Sequence, residues 1–169
     1  MNVTFHVLGS LATASALSLG RSEKFYNIPK LAIGFVTGIL IHGVLDYLPH
    51  SYPLPSRFDI GFAFLLFVAG FLVSQKQNKL LVAVCFAGCV FPDVIDLGGE
   101  IANKHLGIPV PHLSFNIFPW HWKEYSGSIY DGRRQTESNI YHISFLLICL
   151  TVIYSKRKDF FIFWTRKEN

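Results

Sequence analysis

Charge is scarce in this chain: 15% of its 169 residues are Asp, Glu, Lys or Arg, against 51% hydrophobic. A soluble domain typically carries about 25% charged residues, so the composition places the chain among membrane proteins before any motif is read. Cysteine is also sparse. Cys85, Cys89 and Cys149 lie inside apolar stretches and no Cys-x-x-Cys pair occurs, which leaves neither a disulfide framework nor a thiolate zinc site. No internal repeat is evident, and the length suits one domain, residues 1–169. No basic residue precedes the first apolar stretch, and His6 interrupts it. Both features argue against a cleaved secretory signal, the competing reading, although the run Ala12 to Ala16 offers small residues for cleavage.

What is present is a series of apolar runs. A bilayer core needs roughly 20 mostly apolar residues in a helix, and stretches near 3–19, 31–49, 58–74, 79–97 and 139–155 approach that length. The first is the weakest, since Thr4, His6, Gly9, Ser10, Thr13, Ser15 and Ser18 dilute it. The expected fold is all-α: a polytopic membrane bundle of about five transmembrane helices.

The formal net charge of +4 does not point to nucleic acid, because the basic residues sit between and after the apolar runs, where they act as topology signals. With five crossings, Arg21, Lys24, Lys30, Lys76, Lys79, Lys156, Arg157, Lys158, Arg166 and Lys167 share one side. Arg57, Lys104, Lys123, Arg133 and Arg134 fall on the other, mostly spread along a long connection that weighs less in orientation. The first side is therefore expected to be cytoplasmic, with the amino terminus outside and the carboxyl terminus inside. That puts residues 98–138 on the outer face. Their aromatics, Phe115, Phe118, Trp120, Trp122 and Tyr125, suit the headgroup level and predict a cap lying at the membrane surface.

All seven histidines map to this same face: His6, His42, His50, His105, His112, His121 and His142. Asp46, Asp59, Asp93 and Asp96 join them. The densest motif is His42-Gly-Val-Leu-Asp46-Tyr-Leu-Pro-His50, whose spacing of four sets His42 and Asp46 on one helical face. Phe91-Pro92-Asp93-Val-Ile-Asp96 presents two carboxylates three apart. Imidazole and carboxylate are the donors that suit zinc, manganese or iron, and ionisable groups in membrane helices are expensive enough to mark function by default. Any one of them alone reads equally as a helix-end residue bonded to a neighbour. His105, beside Asn103 and Lys104, fits a solvated histidine better, and Glu100, Glu124 and Asp131 read as surface charges.

The arrangement Thr4-Phe5-His6, His42-x-x-x-Asp46-x-x-Pro49-His50, Pro92-Asp93-x-x-Asp96 and then late histidines resembles a bacterial family of membrane-bound metal-dependent hydrolases. More distantly it is similar to the zinc-dependent phospholipase C group, whose helical domain binds metals through His and Asp. The resemblance implies metal-ligand roles for His6, His42, Asp46, His50 and Asp93, with His121 and His142 as later candidates. It also implies a bacterial inner membrane. The same resemblance offers Asp96 as a further ligand candidate; left outside the coordination sphere, it is expected to act as a catalytic base or to orient a ligand imidazole. Where relatives carry Pro-Asp-x-Asp and a later His-Arg…Thr-His segment, this chain has Asp93-x-x-Asp96 and Pro119-Trp120-His121-Trp122.

The expected function is hydrolysis of an ester or phosphoester bond in a lipid headgroup, with one or two divalent ions, zinc foremost, and membrane lipid as the partner. A non-enzymatic metal-binding scaffold or partner-binding protein is the alternative; it would need a coordination sphere closed by protein ligands alone. A transporter or proton relay fits least, since the third and fifth stretches are apolar through their centres.

Overall fold

The computed structural model describes residues 1–19, 27–111 and 114–164, with only the backbone of residues 105 and 106. Arg21, Lys24, His112, Arg166 and Lys167 lie outside the described residues, as does the side chain of His105. The architecture is all-helical, with α1 (Val3–Ala16), α2 (Ile28–Tyr47), α3 (Ser56–Val73), α4 (Lys79–Asp96), α5 (Gly98–Ile101), α6 (Gln135–Ser155) and α7 (Arg157–Phe160).

Local chemistry sets these boundaries. At the start of α2, the Asn27 side chain accepts a bond from Lys30 N at 3.1 Å and Pro29 fills the first turn. The helix stops at Tyr47, two residues ahead of Pro49, which disfavours helical geometry in the residue before it. The helix α3 begins straight after Pro55.

Four segments are long and apolar enough to cross a bilayer: Ile28–Tyr47, Ser56–Val73, Lys76–Asp96 and Gln135–Ser155. Their outward residues, such as Leu40, Val44, Phe64, Leu65, Leu147 and Ile148, are large, apolar and exposed, the pattern of a protein whose solvent is lipid.

The first helix differs from the expected fifth span. At 14 residues it is about 21 Å long, short of the roughly 30 Å hydrocarbon core. It is the innermost element, packed against α2, α3, α4 and α6. Two of the hydroxyl groups that weakened it as a span are buried and bonded within the helix: Ser10 Oγ donates to Val7 O at 2.7 Å and Thr13 Oγ1 to Gly9 O at 2.9 Å, whereas Ser15 Oγ is buried with no partner among the described residues. The start of α1 is held by Asp59, whose carboxylate accepts from Val3 N at 2.7 Å, Thr4 N at 3.1 Å and Thr4 Oγ1 at 2.7 Å. Asp59 thus serves as a cap for a neighbouring helix, satisfying backbone donors that would otherwise be orphaned.

The closest helix pair is α2 with α4. A Cβ on Gly38 would lie 2.7 Å from Cys85 O and 2.8 Å from Cys89 N, and one on Gly88 would lie 2.2 Å from Phe35 O. Only glycine allows the two backbones to meet this way, as small-residue spacings do in membrane helix pairs.

The chain runs up and down, so that the helix ends gather in two groups. At one end Leu19 N donates to Asn78 Oδ1 at 2.7 Å and Gln75 N to Phe160 O at 2.8 Å. Lys30, Lys76, Lys79, Lys156, Arg157 and Lys158 follow or precede helix ends there. At the other end stand the start of α1, the end of α2, the ends of α3 and α6 that carry Ser56 and Gln135, and the end of α4.

A cap of mostly irregular chain closes this second end. Gly127 N donates to Asp46 O at 2.8 Å, His50 N to Gly127 O at 2.9 Å and Ile129 N to His50 O at 2.8 Å. A Cβ at Gly127 would fall 2.1 Å from Leu48 O, so the cap docks directly on the backbone after α2.

Candidate metal centre

The glycine contact between α2 and α4 sets the register of the site. His42 lies one turn beyond Gly38, and Asp93 lies one turn beyond Cys89. The His42 Nδ1–H donates to Cys89 O at 2.6 Å. A carbonyl oxygen only accepts, so this bond fixes the tautomer and leaves a lone pair on Nε2. The third element arrives from the cap, where the 3-10 turn Pro119–His121 presents His121. Its Nδ1 lies 2.8 Å from Asp96 Oδ2, and Asp96 also accepts from Ile117 N at 2.8 Å and Phe118 N at 3.0 Å. Asp96 therefore holds the proton on His121 Nδ1 and turns Nε2 inward.

Four donor atoms converge as a result. His42, Asp46, Asp93 and His121 each offer one atom, all within 4.8 Å of one another. His42 Nε2 is 3.2 Å from Asp46 Oδ2, 3.5 Å from Asp93 Oδ1 and 3.3 Å from His121 Nε2. His121 Nε2 is 3.6 Å from Asp46 Oδ2 and 3.3 Å from Asp93 Oδ1. A tetrahedral ion with bonds of 2.0–2.1 Å sets its ligands about 3.3 Å apart, so these five of the six edges are of the right length, and the whole set spans no more than 4.8 Å. The chemistry fits as well. Two imidazole lone pairs and two carboxylates pointing at one centre are mutually repulsive unless a cation or a proton lies among them.

The protonation of His121 carries the mark of that repulsion. Burial alone would push its imidazole down, but hydrogen bonds to Asp46, Asp93 and Asp96 outweigh it and raise the group to about 10. Without a metal, His121 is the member of the cluster that neutralises the carboxylates.

The side chain of His42 is wholly buried, those of His121 and Asp46 nearly so, whereas that of Asp93 is 36% exposed. The cluster is thus enclosed by protein on most sides and meets solvent at Asp93.

The remaining candidates lie around or away from this cluster. His6 Nε2 faces the other oxygen of Asp46 at 3.3 Å, alongside the Met1 amino group at 2.5 Å, and its ring lies 4.3 Å from that of His42. His6 is therefore placed to brace Asp46 from behind, and its Nδ1 is buried with no partner among the described residues. His50 does not join the cluster: Nδ1 donates to Leu48 O at 2.7 Å, and Nε2 is 3.1 Å from Tyr52 Oη and 3.3 Å from Ser128 Oγ. It belongs to the cap's seat. His142 is also apart, with Nδ1 bonded to Ser138 O at 2.7 Å and its ring edge-on to Phe5. Asp96, expected as a catalytic base, has both oxygens engaged and a fully buried side chain. That geometry suits the orienting role, the other one foreseen for it.

Asn116 and Gly43, which the sequence did not single out, hold the geometry together with the cap aromatics. Asn116 Nδ2 donates to His121 O at 3.1 Å and Trp122 Nε1 to Asn116 O at 2.9 Å, which folds the cap turn on itself. The Trp120 ring lies against Gly43, where a Cβ would come within 2.6 Å of it. The spacing Gly34-x-x-x-Gly38 was a visible signal for the helix contact; nothing in the sequence marked Asn116.

Comparison with family models, curated proteins and solved structures found no match to this chain.

Proposed function

We propose that the protein is a membrane-embedded metal-dependent hydrolase that cleaves an ester or phosphoester bond, most suitably in a lipid headgroup, with zinc as the preferred ion. The observation that carries this reading is the convergence of four His and Asp donor atoms within 4.8 Å of one another, at a site whose most exposed member, Asp93, stands where water can take its place. The resemblance to membrane-bound metal-dependent hydrolases points the same way. The Lys and Arg residues at the far end of the bundle favour an extracytoplasmic site.

When bound, a divalent ion supplies a Lewis acid and a water molecule acidic enough to lose its proton near neutrality. His42 and His121 would hold it through Nε2 and Asp46 through one oxygen, and Asp93, the donor most open to solvent, would yield the fourth position to water. Cys89 O and Asp96 fix the two imidazole tautomers, and such partners commonly change metal affinity 10–100-fold. Asp93, beside that fourth position, is the carboxylate placed to take a proton from the water.

A second reading has its own support. The donors come from α2, α4 and the cap, so an ion would tie the cap to the bundle even without turnover. Elemental analysis of protein purified in nanodiscs, wild type beside His42→Ala and Asp46→Ala, coupled to headgroup release from a mixed phospholipid panel, separates the two. Bound metal with turnover lost in both variants supports the hydrolase. Stoichiometric metal with no turnover in wild type favours the tie, and absence of metal defeats both.

A further inference from the structure

Directly beside the metal centre lies an apolar groove of about 390 Å³, within the usual ligand-pocket range of about 300–1,000 Å³. One wall is the face of α2 formed by Leu40, Gly43, Val44 and Tyr47; the other is Trp120 and Tyr125 of the cap. Each wall is one residue from a metal donor: Gly43 follows His42, and Trp120 precedes His121. The Trp120 ring centroid is 6.3 Å from that of His42. The groove opens on a side of α2 where Leu40, Val44 and Tyr47 are 59%, 56% and 62% exposed, on a helix able to span a bilayer. Another apolar groove, formed by α6 with Phe161 and Trp164, is lined also by Arg157 and has no cluster of donor atoms beside it among the described residues.

An apolar groove open to the bilayer, whose lining residue Trp120 stands next to a ring of a polar cation site, matches an amphiphile, and a bilayer supplies one in abundance. We propose that this groove seats an acyl chain of the membrane lipid whose headgroup lies on His42, Asp46, Asp93 and His121. The proposal rests on the hydrolase reading for the fate of that lipid, and it names the substrate as a chain-bearing lipid rather than a free phosphoester. Trp120 is then the positioning residue that joins the two halves: one side of the indole lines the chain's path, and the same turn of backbone carries the donor His121. Gly43 is required beneath it, because any side chain there would displace the ring.

The test uses the full chain in nanodiscs doped with a phospholipid that carries a diazirine within one acyl chain, with adducts mapped by mass spectrometry after illumination. Leu65 on α3 and Ile148 on α6, 65% and 61% exposed, report contact with bulk lipid. Adducts at Leu40, Val44, Tyr47 and Tyr125 are expected at least tenfold above those two positions, and to fall to their level when unlabelled lipid of the same headgroup is added in excess. Val44→Trp, which fills the groove from a side chain that holds no metal, is expected to reduce labelling to background while metal content stays at the wild-type level. Leu40→Trp repeats the measurement should the first variant lose metal. Even labelling over all three helices, or labelling that survives both tryptophans, overturns the proposal. So does a second copy of the chain seated there, which would appear as adducts joining two chains once the probe is placed on Cys substituted at Val44. Labelling does not depend on turnover, so a groove that labels in a protein without hydrolysis sinks the hydrolase reading alone.

Discussion

Gly38 meets the backbone of α4 so closely that a Cβ would sit 2.8 Å from Cys89 N, and Cys89 in turn offers the carbonyl that orients His42. Packing and metal binding therefore share one contact. Gly38→Val is expected to force α2 away from α4, at the overpacking cost of about 1–3 kcal/mol, and to part His42 from Asp93. Bound metal should fall well below one ion per chain, while Gly61→Ala, at a position with nothing within 4 Å, should leave metal content unchanged. Elemental analysis of the two variants side by side decides it; a fully loaded Gly38→Val would show that the register does not depend on this glycine.

Asp96→Asn keeps the shape of the side chain but removes the charge that holds the His121 proton on Nδ1 and anchors Ile117 and Phe118. Metal affinity should weaken 10–100-fold, as for other partners of ligand imidazoles. Competition against a chromophoric chelator measures this, and an unchanged affinity would mean that the cap turn is set by other contacts. Because Asp96 touches no reacting atom, any turnover per bound metal should be far less affected than the affinity.

The cap's seat should be sensitive to acid through His50. Burial pushes this imidazole down to about 4 from the ordinary 6.5, so the docked state holds fewer protons than the detached one between those two values. Docking is then fully stable above about pH 6.5 and is lost progressively as pH falls toward 4, by an amount on the order of 3 kcal/mol at the lower limit. Hydrogen-exchange protection of the Gly127 and Ile129 amides, which bond to Asp46 O and His50 O, should drop between pH 7.5 and pH 5. His50→Gln should flatten that dependence, and protection equal at the two pH values would count against it.

Removal of metal should act mainly on the cap. Three donors stand on α2 and α4, and one stands on the cap turn. With a chelator present, proteolytic cutting should increase within residues 114–134 and leave the helices intact. Equal susceptibility of cap and helices would indicate a site that holds the whole bundle.

The sequence carried the helical class, the cap and the grouping of histidines with aspartates at one end, because long apolar runs and Lys/Arg placement are local signals. It also carried His42 with Asp46, whose spacing of four is one helical turn. The standing of α1 was not legible: a short helix with many hydroxyl groups reads as a poor span, and only the packed bundle shows it at the centre, with Ser10 and Thr13 bonded to its own carbonyls. His50 read like a ligand because it extends the same spacing, but Pro49 ends the helix and turns it into the cap. His121 was a ligand candidate through the resemblance alone, and its place in the cluster was not legible from spacing, since its orientation depends on Asp96, 25 residues away.

The division of donors between a rigid helix pair and a loop also bears on how an ion would come and go. Three points of attachment stay in place whether or not the cation is held, so loading is a landing on a prepared seat followed by closure of one latch. Exchange needs only that latch to lift. The rate of release is then governed by the cap turn, and a chain can tune how long it keeps its ion by changing loop residues alone, without touching the helices that give it its fold.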